Sequence, residues 1–166
     1  EYNDVENEPY RRVWTKPITS YASNYNLFDI SLAPIEENMF NKVKSQLKVI
    51  EAGFHKKALI AQDFGPYQID MVNLFDRPKK GENRLPQNPN GNGFLIPKSK
   101  NHKLWFKYIK FLIDNPEKIK EMGDKLYDAV NGEYDMESVC NKRLNLYRQL
   151  IVEKKNSSVE SVVENA

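Results

Sequence analysis

A single cysteine, Cys140, is all the thiol chemistry in this chain, which excludes an intrachain disulfide and a cysteine-built metal cluster and fits a reducing compartment. No apolar run approaches the ~18 residues that a membrane-spanning helix needs, and the start has no signal-like character, so a cytoplasmic setting is expected. Neither sign of charge dominates. With 25 Lys and Arg interspersed among 23 Asp and Glu, the net charge is +2, and no nucleic-acid or general anionic-membrane partner follows. An initial methionine is missing too. Beginning at Glu1, the chain is expected to be a piece of something longer. What is present suffices for one domain with a real core: 166 residues, 40% hydrophobic and 11% aromatic.

The most informative stretch is 33–67, which combines a loop, a helix with two unlike sides, a short apolar run and a Gly-Pro turn. Val43, Leu47, Ile50 and Phe54 recur at helical spacing and predict a stripe lying on the core. Lys44, Lys48, Glu51 and His55 form a second line beside it, basic toward the helix start and acidic about two turns later. Asn41 or Ser45 is the expected cap, and Phe40 is expected to anchor the preceding loop at the core edge. Lys44 at a helix start opposes the helix dipole unless an anion offsets it, which suggests a phosphate; the same spacing also suits a plain solvated basic face. Glu36 and Glu37, adjacent in a loop without a metal-ligand pattern, read as solvent-facing acids.

Along the chain, 1–12 is a polar lead-in, and a short strand over 13–15 would stop before Pro17. A short helix is expected over 18–25, with Trp14, Tyr21 and Tyr25 as core or rim packing. Apolar runs at 28–33, 58–61 and 94–96 read as strands, closed by Pro34, by the loop before Gly65-Pro66 and by Pro97. Residues 67–75 should pack through Ile69, Val72 and Phe75, and 77–92 reads as a mobile excursion. Ser99 or Asn101 should cap a helix running to Ile113; Asn115-Pro116 should open the next, with Ile119, Met122, Leu126 and Val130 inward and Asn131-Gly132 ending it. A last long helix from Tyr134 or Asp135 should pack through Val139, Leu144, Leu146, Tyr147 and Leu150 and fray after Glu153. The divisions expected are a lead-in over 1–16, an α/β domain over 17–154 and a flexible tail over 155–166. His55 reads as a helix-end residue, His102 has no triad or metal-ligand setting, and Cys140 reads as semi-buried.

Four motifs in this order, DISLAPIEENMFNKVKSQLKVIEAG, KKALIAQDFGPY, NGNGFLIP and LIDNPEKIKEMGDKLYDAV, resemble the later part of the nucleotide-sugar-binding domain of a GT-B glycosyltransferase of the group 1, or family 4, kind. The resemblance covers about 18–150 and implies a Rossmann-like three-layer α/β domain with a helical C-terminal region. It implies a nucleoside-diphosphate-sugar donor, UDP- or GDP-linked, with no bound metal and no further cofactor. By motif, Glu51 corresponds to the carboxylate that binds ribose hydroxyls and Lys44 and Ser45 to the diphosphate contacts and catalytic charge stabilisers. Phe40 and Asn41 would position the loop, and Gly65, Pro66 and Tyr67 would line the donor site. Where the family often has another glutamate, this chain has Val43, and on the resemblance Glu36 or Glu37 would make that contact to the donor sugar from a different loop geometry. An acceptor glycan or other hydroxyl compound would be held by an N-terminal domain not in this sequence, with peripheral membrane association open to the whole enzyme. The chain alone is then expected to bind donor weakly and to catalyse nothing. A phosphate- or nucleotide-binding α/β enzyme of another family and a non-catalytic protein-interaction module are the competing readings.

Overall fold

In the computed structural model, the residues described are Val13, 16–76, 87–98 and 102–163, the last nine by backbone alone. The lead-in over 1–12, Trp14, most of the excursion, Ser99 and Asn101 lie outside them. Three short apolar runs form a parallel sheet in the order β1 (Ile30–Ala33), β2 (Ala58–Gln62), β3 (Phe94–Ile96). Ile30 pairs with Ala58 and Ile60 with Phe94. From Ala58 to Ala61 the central strand has no exposed surface, as a parallel strand covered on both faces should.

Period-two alternation along β2 feeds two cores. Leu59 and Ala61 pack with Tyr25, Val49, Ala52, Tyr67 and Met71, whereas Ala58 and Ile60 pack with Leu74, Phe94, Tyr108 and Leu112. Helices α2 (Leu47–Phe54) and α3 (Lys103–Asp114) supply the two outer layers, and α4 (Pro116–Val130) reaches both cores through Leu126 and Met122. The arrangement is a three-layer α/β unit with a helical C-terminal stretch. Phe94 stacks on Tyr108 at 4.2 Å between centroids, which adds about 0.5–1.5 kcal/mol beyond the area buried.

One continuous helix was expected through Val43, but the chain forms α1 (Met39–Lys42), a turn, and then α2. The predicted stripe fails with it: Val43 is 78% exposed and Leu47 52%, while Val49, Ala52 and Gly53 are buried. Small residues decide this. A Cβ on Gly53 would meet Val130 at 2.6 Å, and one on Gly123 would meet the Lys56 carbonyl oxygen at 2.1 Å, so α2 and α4 approach along a face that larger side chains would hold apart.

Other departures follow the same logic of fit over hydrophobicity. The expected helix over 18–25 is a 3-10 helix at Tyr21–Leu27, with Tyr25 buried and Ile18 exposed. After β2, Ile69 and Val72 are exposed, whereas Phe75 packs as expected and is joined by Met71 and Leu74. The segment stays irregular because the buried Asn92 serves its backbone, accepting from Val72 N and donating to Asp70 O, both at 2.8 Å. Asn115 does not cap α4 with its side chain, which instead donates to Phe111 O at 2.8 Å, but Pro116 opens that helix and Gly132, at φ 81, follows its end. The final helix, α5 (Met136–Val163), starts after Asp135, whose carboxylate accepts from Ser138 N at 2.9 Å. Its Leu144, Leu146, Tyr147 and Leu150 are all exposed rather than packed, and Cys140 is exposed. The helix also continues past Glu153 to Val163.

Candidate functional site at the strand ends

Loops leaving the carboxyl ends of β1 and β2 meet each other. Asn38 caps α1 by accepting from Asn41 N at 2.8 Å, and the buried Asn41 donates from its own amide to Glu36 O at 2.8 Å. Asn41 therefore knits the loop rather than capping α2. On the β2 side, Gly65 has φ 57, and a Cβ there would lie 3.2 Å from Lys42 Cα and 3.5 Å from Asn41 O. Glycine is needed twice over, for the left-handed backbone and for the close approach. Pro66 and Tyr67 follow it, buried.

Lys44 and Ser45 occupy the exposed turn between α1 and α2, outside the helix whose first turn Lys44 was expected to join. The Lys44 ammonium lies 4.7 Å from the centroid of Phe40, and Phe40 itself is 73% exposed rather than anchored at the core edge. Gln46, not Ser45, stands at the start of α2 and gives it no side-chain cap. Its amide reaches Tyr134 Oη at 2.8 Å, and that hydroxyl donates to the Asp70 carboxylate at 3.0 Å. Burial, then the bond to Asp70, raises the Tyr134 phenol above the ordinary range.

Glu51 belongs to a separate cluster farther along α2. Its Oε2 accepts from Tyr25 Oη at 2.7 Å and from Lys48 Nζ at 2.9 Å, and Lys48 also donates to Tyr21 Oη at 2.9 Å. Burial pushes the Tyr25 phenol well up, and the hydrogen bond to Glu51 and its charge push it further. For Lys48, burial works downward, but the hydrogen bonds to Tyr21 and Glu51 carry the ammonium above its usual value. Tyr67 is raised by burial and held back by the charge of Lys48, which ties the Gly65-Pro66-Tyr67 loop electrostatically to this cluster. His55, at the end of α2, stacks on Tyr25 with centroids 4.7 Å apart.

The structure thus joins Asn41 to Gly65 and Glu51 to Lys48, and breaks the single line expected from Lys44 to His55. A third feature brings in the loop acids Glu36 and Glu37, as the lining of a cleft whose other residues were not foreseen. A cleft of about 250 Å³ opens where the three strands end, with Glu36, Glu37, Gln62 and Lys98 among its polar lining. Glu37, expected in solvent, has a side chain only 20% exposed and sits 3.4 Å from both Lys98 Nζ and Gln62 Nε2. The sequence signal for it was weak: Gln62 and Lys98 stand at or just after the ends of apolar runs.

The architecture is Rossmann-like. No protein-family model matches the sequence, and no curated protein matches it. The resemblance to group 1 glycosyltransferases lies in the sequence motifs alone, and a Rossmann-like unit by itself serves many unrelated chemistries. Among the described residues, no three His, Cys, Asp or Glu side chains are grouped to hold a metal ion, and no helix is long and apolar enough to cross a membrane.

Proposed function

We propose that the chain binds a phosphate-bearing small molecule at the carboxyl ends of β1 and β2 and, at the finer level the motifs support, that this molecule is the nucleoside-diphosphate-sugar donor of a glycosyltransferase. The observation carrying the reading is the seating of Gly65 on Asn41 and Lys42, which joins two strand-end loops beside the uncapped start of α2. Open parallel sheets take ligands at this end, and backbone amides at a helix start favour an anion.

In this reading Lys44, Ser45 and the first amides of α2 face the diphosphate and stabilise charge on it as the glycosidic bond to phosphate breaks. Tyr25 and Lys48 both donate to Oε2 of Glu51, orienting the carboxylate so that Oε1 accepts from the ribose diol. Phe40 is the exposed aromatic beside Lys44, and Pro66 and Tyr67 form the wall behind Gly65. The acceptor and its activation belong to another part of the enzyme.

A broader reading, a phosphate- or nucleotide-binding α/β protein of another family, is favoured by the placement of Lys44 and Glu51 in different segments and by Val43 where the family often carries a glutamate. The exposed apolar residues of α5 favour a protein-interaction module. NMR titration with UDP, GDP, ADP and glucose 1-phosphate separates these. The transferase reading expects saturable shifts around Lys44 and Glu51 for one nucleoside diphosphate, weakened by Lys44→Ala and by Glu51→Gln. Equal response to glucose 1-phosphate supports the broader reading, and no saturable shift with any of the four overturns both.

A further inference from the structure

The hydroxyl of Tyr134 joins three segments that are distant in the chain: the start of α2, the segment after β2 and the connection between α4 and α5. We propose that Tyr134 is a positioning residue for the anion site at the start of α2, acting by holding the Gln46 amide away from the first backbone N–H groups of that helix. The proposal rests on the phosphate-binding reading and names what keeps that site open.

A phenol carries one proton. Tyr134 gives it to Asp70, 3.0 Å from each carboxylate oxygen, so toward Gln46 the same oxygen can only accept. Gln46 therefore presents its NH2 group, with Nε2 2.8 Å from Tyr134 Oη. Both ends of the tether are fixed. The Asp70 carbonyl accepts from the buried Asn92, and Tyr134 N donates to Val130 O at 3.0 Å, at the end of α4.

Untethered, Gln46 is the side chain that would close the site. Val49 N and Ile50 N both donate to Gln46 O, whereas the N–H groups of Leu47 and Lys48 have no acceptor among the described residues. A side-chain carbonyl at a helix start accepts from such groups, and there it takes the positions a phosphate oxygen needs. Gln46 carries such a carbonyl yet gives α2 no cap, because its amide is engaged by Tyr134.

The test uses inorganic pyrophosphate, followed by NMR on the backbone amides of Leu47 and Lys48 in the whole chain. The parent should bind it saturably, with these amides among those that shift. Tyr134→Phe, which keeps the ring, should weaken binding about fivefold, the scale of one hydrogen bond, and slow hydrogen exchange at both amides. Adding Gln46→Ala removes the competing carbonyl and should restore affinity and exchange toward the parent's; a merely structural role for Tyr134 predicts no such rescue. Gln46→Asn provides the reading if Tyr134→Phe does not fold. One methylene too short to reach Tyr134 and of a type that caps helix starts well, it should raise Tm while lowering pyrophosphate affinity. If pyrophosphate fails to bind the parent, the phosphate-binding reading falls and this proposal falls with it. If the parent binds but the folded single variants bind equally well, or the double variant shows no rescue, that reading stands and the role of Tyr134 is overturned.

Discussion

Replacing Gly123 with alanine sets two effects of opposite sign against each other. In mid-helix alanine is the better residue by about 0.8–1.0 kcal/mol, so propensity alone predicts a more stable protein. Geometry opposes it. The new Cβ would lie 2.1 Å from the Lys56 carbonyl oxygen and 2.6 Å from its carbonyl carbon, where ordinary contact begins at 3.4 Å. Those atoms cannot swing aside as a side-chain tip would. Lys56 is itself held at φ 52, Lys57 N donates to Ala52 O at 2.9 Å, and β2 begins at Ala58. Clearance therefore requires α4 to retreat by over an ångström, withdrawing Leu126 from one core and Met122 from the other. Overpacking costs about 1–3 kcal/mol and occasionally more, and partial loss of two core contacts adds to it. After the propensity gain is subtracted, we expect a net loss of about 2 kcal/mol, or a fall in Tm of roughly 4–8 °C for a chain of this size. Thermal unfolding followed by circular dichroism measures it. An unchanged or higher Tm would refute the reasoning, because propensity would then have outweighed the contact.

Two further outcomes follow from hydrogen bonds. Tyr25→Phe removes the donor to Glu51 and should cost about 1–2 kcal/mol near neutral pH. The Tyr25 phenol is raised in the folded state, so its contribution is complete below the unfolded value near pH 10 and is lost as pH rises above that; the variant should show a shallower alkaline fall in stability, and denaturant titrations across pH giving parallel curves would contradict this. Asn92→Ala leaves the buried Val72 N–H and Asp70 carbonyl without their partner and should cost about 2–4 kcal/mol, read from the urea midpoint; a shift under half a kilocalorie would show that the clamp is dispensable.

The strands were legible because each is a short apolar run bounded by a breaker: Pro34 after Ala33, Pro97 after Ile96, and Gly65-Pro66 soon after Gln62. Helix α4 was legible for a similar reason, with Pro116 at its first position and Gly132 just beyond its end. Less was readable in α2, since Val43 and Leu47 fit a helical period while the choice of buried face was made by Ala52 and Gly53 meeting a helix some seventy residues later. Periodicity reports hydrophobicity, and packing here selected smallness. For α5 the apolar residues were identified, but among the described residues no element covers Leu144, Leu146, Tyr147 or Leu150. Around the candidate sites, the Gly65 loop was marked by glycine's own conformational signature. Glu37 had no such mark, because its setting comes from Gln62 and Lys98 at the ends of two other strands and is created only by the sheet.

The parallel register also constrains how the chain can reach this structure. Ile30 pairs with Ala58 across the loop and both helices between them, and Ile60 pairs with Phe94 across the whole crossover from Asp63. No hairpin can seed such a sheet, so each ladder carries the entropy of closing a long loop before its first bond repays it. Asn92 shortens the second closure, since its clamp on Asp70 and Val72 turns the end of the excursion back just ahead of β3. The sheet at the centre of the molecule thus carries two long loop closures, and the buried Asn92 amide holds the end of the second one beside the third strand.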